Sequence, residues 1–173
     1  MGGAGSGKTT LARQISERLG CPCYHLDQIG WGTEGKRSLA ARLADIERIV
    51  DQPAWVSEGS FLWWTDLLLQ TADVIVWLDL PFRINAWRMV KRHVQLSLAG
   101  TNPHPGMLNL LRFMWGVRQR YKAKVPLIPQ APDDDFAITR VATAQILAGY
   151  TEKLVHCRSP REVKLFLRNV MRQ

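Results

Sequence analysis

Cysteine is scarce in this chain of 173 residues, with only Cys21, Cys23 and Cys157. The number is odd, and Cys-Pro-Cys brings two of them too close for the usual zinc or redox pair. That argues against a disulfide framework and predicts reduced core thiols. The four histidines, His25, His93, His104 and His156, lack metal-ligand spacing. Long apolar runs are also missing. The longest candidate, Val74 to Leu80, is broken by Asp79, so no segment reaches membrane-spanning length. The chain opens on glycines rather than on the basic and apolar stretches of a secretory leader, and the expectation is a cytoplasmic protein without a membrane partner. Acidic residues are in the minority, 15 against 23 Lys+Arg, for a net charge of +8. Such a balance favours polyanionic ligands or partners. Nucleic acid would fit the charge, but no motif supports it, since aromatic and basic residues are not interleaved as they are in single-strand binders.

What is present starts at Gly2. Gly2-Gly3-Ala4-Gly5-Ser6-Gly7-Lys8-Thr9 fits G-x-x-x-x-G-K-[ST], with Gly2, Gly7, Lys8 and Thr9 in the fixed positions. Glycines let the backbone curl round an anion with N–H groups pointing inward, a shape that side chains would block. The helix that follows adds its positive dipole end and its unpaired N–H groups. Lys8 then reaches the outer phosphates and the Thr9 hydroxyl ligates Mg²⁺. A flexible Gly-rich terminus is the competing reading, and the helix-forming run directly after Lys8 opposes it. The motif predicts a binding loop for ATP and Mg²⁺ formed by residues 2 to 10, with Thr10 inside the first helical turn.

At 46% hydrophobic residues the chain is no disordered polymer, and its length suits one α/β domain. Leu11, Ala12, Ile15 and Leu19 form an apolar stripe, which makes Lys8 to Leu19 a helix stopped by Gly20. Pro22 to Leu26 reads as a short strand ending on Asp27, followed by a Gly-rich loop from Gly30 to Gly35. Ser38 caps a helix whose buried face is Leu39, Leu43, Ile46 and Val50. Ala54 to Ser57 is a second strand closing on Glu58, and a short helix runs from Thr65 or Asp66 through Gln70. Asp73 to Leu80 is the clearest strand, its near-continuous apolar run suiting a parallel strand covered on both faces. Ile84, Trp87, Val90, Val94 and Leu98 then line a long helix, and Met107, Leu111, Met114, Val117 and Tyr121 another. Pro126 to Asp135, with three prolines and an acidic run, is expected to be a mobile loop. A helix over Ile138 to Tyr150 and a last strand over Lys153 to Cys157 follow. A final helix opens on Ser159-Pro160-Arg161-Glu162, a capping box, and packs through Val163, Phe166, Leu167 and Val170. Alternating strands and helices predict a parallel sheet with helices on both faces.

Ligands in such sheets bind beyond the carboxyl ends of the strands. That singles out Asp27, Glu58 and Asp79, with Arg158 and Ser159. Asp27 and Glu58 are each suited to hold a Mg²⁺-bound water or to orient a substrate hydroxyl. The bland alternative for either is a turn or capping carboxylate, and a structural role is at least as good for Asp79. Arg88 and Arg92, at i and i+4, project together from one helix face and are suited to stabilising charge on a transferring phosphoryl group. A solvated basic face is the competing reading.

The order of these blocks resembles the adenylate-kinase-like branch of P-loop kinases, and within it the bacterial DNA topology modulation proteins. The residues that carry the resemblance are Gly5 to Arg13, Tyr24 to Asp27, Trp55 to Phe61, Ala72 to Pro81, Trp87-Arg88 and Ser159 to Val163. The resemblance implies a three-layer fold with strand order 2-3-1-4-5. It implies one kinase-like domain over residues 1–173, with a lid-like helical insertion around 82–135. Asp27 would face the acceptor, Glu58-Gly59 would match the Asp-Gly closing the third strand of relatives, Arg88 and Arg92 would enter the lid, and Arg158-Ser159 would border the adenine. Glu58 departs from the usual Asp by one methylene.

These readings predict an ATP–Mg²⁺-dependent phosphotransferase or ATPase acting on a small molecule such as a nucleoside or nucleotide. Lys8 and the loop amides would bind phosphate, Thr9 and Glu58 the metal, and Asp27 or Glu58 would position the acceptor. The rival is a nucleotide-dependent regulator acting on DNA with little kinase activity. A phosphate loop is normally the turn after a buried strand, and only Met1 precedes Gly2. The expectation is therefore that the first strand is missing, through a misplaced start or truncation, and that the strands ending at Glu58 and Asp79 are separated by a gap or by a segment from elsewhere that fills it.

Overall fold

The phosphate-loop motif folds as a tight turn running into α1 (Lys8–Leu19), with Gly7 in the left-handed region at φ 92° as the N-cap and Gly20 at φ 64° ending the helix. The computed structural model describes residues 1–129, 131, 134–135 and 138–171. β1 (Cys23–His25) follows α1, and the expected strand is shorter than its sequence suggested because Leu26–Gly30 turns into the short helix α2. Asp27 therefore stands in the first turn of α2 rather than at the strand's last position. The Gly-rich loop contains a small antiparallel hairpin, β2 (Trp31–Gly32) with β3 (Gly35–Lys36).

Ser38 caps α3 (Leu39–Val50), its side chain accepting from the Ala41 amide. Of the expected face of α3, Ile46 is buried and Leu39 and Val50 pack against the same core, and only Leu43 departs. Arg42, Ile46 and Ile49 face inward while Leu43 is exposed. Arg42 accounts for the difference. Its guanidinium lies 5.1 Å from the Trp64 ring centroid and 3.7 Å from Asp135, so the helix turns toward a buried cation–carboxylate contact.

β4 (Val56–Glu58) runs parallel to β1, with His25 opposite Glu58. α4 (Asp66–Thr71) leads to β5 (Ile75–Leu78), and the arm that follows holds α5 (Phe82–Leu98) and α6 (Met107–Lys122). α7 (Arg140–Leu147) continues as a 3-10 turn over Ala148–Lys153, then β6 (Leu154–Cys157) pairs in parallel with β5. α8 (Pro160–Val170) closes the chain. Gln130, Pro132 and Asp133, within the loop read from Pro126 to Asp135, lie outside the described residues. Asp135 itself is held, accepting from Trp64 Nε1 at 3.0 Å and pairing with Lys36 at 3.3 Å.

The fold is mixed α/β with small parallel sheets, and hydrogen bonds join only the outer pairs of the expected five-strand order. Among the described residues no strand bonds β4 to β5. The inner edge of β5 is instead met by the first two residues. Met1 donates its amine to Val76 O at 2.6 Å, Leu78 N donates to Met1 O at 2.9 Å, and Gly2 bridges Leu78 in parallel. The opposite edge of β5 carries β6, to which Asp79 N donates at Cys157 O. Two clusters flank this division. Leu26, Ile29, Ile46, Ile49, Phe61, Trp64 and Leu68 pack beneath β1, α3 and α4. Leu11, Leu78 and Cys157 pack with Val163, Phe166 and Leu167 of α8 between the helices and the second pair. Each fully buried leucine or isoleucine contributes about 1.5–3 kcal/mol. Among the described residues no helix is long and apolar enough to cross a membrane.

Candidate active site

The loop that opens the chain is shaped by contacts that exclude side chains. Gly5 sits at φ 76°, and a Cβ there would lie 2.5 Å from the Asn85 carbonyl oxygen on α5. A Cβ on Gly2 would come within 2.7 Å of Ser6 Oγ and 2.9 Å of Leu78 O. Arg88, also on α5, donates from Nη1 to the Ser6 carbonyl at 2.7 Å. Two consecutive turns of α5 thus clamp the loop from one side, with backbone touching backbone at Gly5 and a charged donor at Ser6.

From the other side the loop meets β4. Thr9 donates its hydroxyl proton to Glu58 Oε1 at 3.0 Å, and His25 Nδ1 lies 2.7 Å from the same oxygen. Glu58 is buried, and its second oxygen, Oε2, has no hydrogen-bond partner. The expected metal pair, Thr9 and Glu58, is therefore in direct contact. His25 has no metal-ligand spacing in the sequence. Its link to Glu58 depends on strand pairing, which brings residues 33 apart in sequence side by side, and no local pattern signals it.

A cleft of about 470 Å³ opens beside the loop, bordered by Gly2, Gly3, Ala4 and Lys8 and, farther out, by Asp27. Asp27 is exposed to it, and among the described residues Asp27, Lys8 and Arg120 make no side-chain hydrogen bond or ion pair. Asp79, at the end of β5, is held instead. It accepts from Arg140 Nε at 2.6 Å and Nη2 at 2.7 Å, and lies 3.0 Å from His156 Nε2. The hydrogen bonds to Asp79 hold the Arg140 guanidinium's pKa above its ordinary value. Arg140 emerges only in three dimensions, because α7 begins 61 residues after Asp79.

The remaining candidates are scattered. Arg92 is exposed and has no such partner among the described residues, while Arg88 contacts the loop. Arg158 and Ser159 form the start of α8, where Ser159 Oγ accepts from Glu162 N and the Glu162 carboxylate accepts from Arg158 N. They lie outside the cleft lining. The backbone donor from Arg158, with the Ser159 hydroxyl, draws the Glu162 carboxyl below its usual pKa. Among the described residues no group of three or more His, Cys, Asp or Glu side chains gathers as a metal cluster.

Over 105 aligned residues the chain is 32% identical to the cytidylate kinase of Pyrococcus horikoshii, a match that takes in 51% of this chain and 53% of that protein. Over that half the chain is similar to a cytidylate kinase. It spans about half the length of the curated relative it matches. No protein-family model matches the chain. Nothing in these comparisons supports the likeness to DNA topology modulation proteins.

The two halves of the site have different chemical character. The loop, α5 and β4 enclose a buried, half-satisfied carboxylate, Glu58, beside the Thr9 hydroxyl. The cleft carries free charges of both signs, Asp27 and Arg120, among aromatic walls.

Proposed function

We propose that this chain is an ATP- and Mg²⁺-dependent phosphotransferase that moves a phosphoryl group to a small molecule of the nucleoside or nucleotide class. The observation that carries the reading is the contact between Thr9 and Glu58 beneath a glycine-walled loop at the mouth of a cleft. The kinship with a cytidylate kinase supports the same class of chemistry.

In this reading the amides of Gly2, Gly3, Ala4, Gly5, Ser6, Gly7, Thr9 and Thr10 surround the donor phosphates, and Lys8 supplies a point charge to the outer ones. Arg88 holds the loop in its curled form through Ser6 O and lies close enough to share the phosphate charge. Arg92 would join it only if α5 moved. Arg158 and Ser159 are assigned to the adenine border on resemblance alone. The residues fit a divalent cation: Glu58 Oε2 is buried without a partner, and the Thr9 oxygen keeps lone pairs after donating its proton. Magnesium bound by Thr9 and Glu58 would offset charge on the donor's outer phosphates. Holding Glu58 for the metal leaves Asp27 to face the acceptor.

The arm from 82 to 135 is the lid in this scheme, because α5 touches the loop and α6 lines the cleft. The strand order 2-3-1-4-5 belongs to the same proposal. β1–β4 and β5–β6 are its outer pairs, with Met1–Gly2 against the inner edge of β5. The rival, a DNA-directed regulator, has no observation of its own in its favour.

Lys8→Ala tests the reading. Titration calorimetry should show tight Mg·ATP binding by the parent chain and its loss in the variant, with the circular dichroism spectrum unchanged. Equal ATP affinity in the two proteins would sink the phosphate-loop reading.

A further inference from the structure

We infer that the acceptor is a neutral alcohol carrying a flat ring, nucleoside-like, and not a phosphate monoester, and that Asp27 takes the proton from its hydroxyl. This rests on the phosphotransferase reading above and narrows it. The argument is a charge inventory of the site. Arg140, which also lines the cleft, has its charge paired, Nε and Nη2 being bound by the two oxygens of the Asp79 carboxylate. Asp135 is likewise spent on Lys36 and Trp64. What remains is Lys8 and Arg88 at the loop, Arg120 from α6, and the carboxylate of Asp27.

Mg·ATP brings a residual double negative charge to the loop, which Lys8 and Arg88 match. A phosphate monoester acceptor would bring about −2 more. With Lys8 given to ATP, the described lining residues would offer it one further unpaired cation, Arg120, and an unpaired anion, Asp27, in the same cleft. Like charges confined in a cleft of lowered dielectric oppose binding, so the site is poorly matched to such a substrate. A hydroxyl suits it. An ionised carboxylate accepts hydrogen bonds and donates none, and an alcohol offers the donor that Asp27 lacks.

The walls supply the second half of the inference. Trp31 and Phe113, which line the cleft, are 44% and 50% exposed. Aromatic faces left open in a cleft are suited to stacking a planar ring.

The step balances without another reactant. The acceptor oxygen forms a bond to the γ-phosphorus as the bond from that phosphorus to the β–γ bridging oxygen breaks. ADP departs with the electron pair. The hydroxyl proton passes to the Asp27 carboxylate and from there to solvent.

The experiment offers the full chain radiolabelled ATP with each common ribonucleoside, its deoxy form and its 5′-monophosphate, and identifies the labelled product. The expected result is transfer to one or more nucleosides and none to the monophosphates. Asp27→Asn, an isosteric change at an exposed position, should then lower kcat by about a hundredfold or more. Calorimetric Mg·ATP affinity should be kept, which also shows that the variant is folded. Preferred transfer to a monophosphate overturns the inference. So does transfer to none of the alcohols by a chain that still binds Mg·ATP, or unchanged kcat in Asp27→Asn. Each of these leaves the phosphate-loop reading standing. A parent chain that fails to bind Mg·ATP overturns both.

Discussion

The phosphate loop and the α5–α6 arm are built on opposite terms. At the loop, backbone approaches backbone, a guanidinium caps a carbonyl, and Thr9, Glu58 and His25 share one oxygen. Along the arm, large apolar side chains stand in solvent: Trp87 is 68% exposed and Leu98 84%, and Met107, Leu108, Leu111 and Trp115 are exposed as well. The first region has one conformation that its contacts dictate. The second has an inner face, Asn85 and Met89 on α5 and Leu110 on α6, and an outer face with no partner among the described residues. Rigidity therefore belongs to the end that would hold phosphate, and freedom to the end that would cover it.

The largest break in that contrast comes from Gly5→Ala. Left-handed backbone costs a non-glycine residue about 1–2 kcal/mol. The new methyl would also stand 2.5 Å from a helix carbonyl that cannot swing aside. We expect a total loss of about 3 kcal/mol or more in unfolding free energy, together with Mg·ATP binding. Gly20→Ala is the control. Its φ of 64° carries the same backbone cost, but a Cβ there meets nothing within 4 Å, so the loss should be about 1 kcal/mol and ATP affinity should survive. Equal losses in denaturant titrations of the two variants would mean that the loop is not held by α5.

An intermediate effect is expected at Arg140, which ties α7 to the end of β5. Arg140→Ala leaves the Asp79 carboxylate buried with His156 as its remaining partner. Breaking a buried pair costs about 3–5 kcal/mol. The Arg140 side chain is half exposed, and water relieves part of this, so about 2 kcal/mol is expected. A urea midpoint unchanged from the parent would show the pair to be as dispensable as a surface one.

How much could be read in advance follows the same division. The loop, α1 with its stop at Gly20, the Ser38 cap and the box at Ser159 were legible because each depends on residues within a few positions of one another. The strand-end rule singles out Glu58, whereas its contact with Thr9 appears only in the structure. Arg140 and His25 were not legible, because what makes them matter is a carboxylate 61 or 33 residues away. On α3 the expected Leu39, Ile46 and Val50 face the core, and only Leu43 gives way, to Arg42, once Trp64 and Asp135 are beside it. The stripe on α5 is helical as its spacing predicts, but much of it is exposed. Hydrophobic periodicity finds an apolar face but not whether anything lies against it, and here the side toward the loop is chosen by Asn85 and Arg88.

The smallest effect should be found on that outer stripe, where Trp87→Gln and Leu98→Gln test whether it is surface in solution. Surface substitutions away from caps and ion pairs shift stability by no more than about 0.5 kcal/mol, and both residues are mostly exposed. Met89→Ala on the same helix is the comparison. Met89 is 8% exposed and packs close to Gly5, so its truncation should cost about 2–5 kcal/mol. Measured by urea titration of the three variants, the expected pattern is two midpoints at the parent value and one well below it. The outcome that breaks the contrast is a loss at Trp87 or Leu98 that approaches the loss at Met89. It would mean that the stripe is covered in solution, as the periodicity alone had suggested, and that the arm is packed as firmly as the loop.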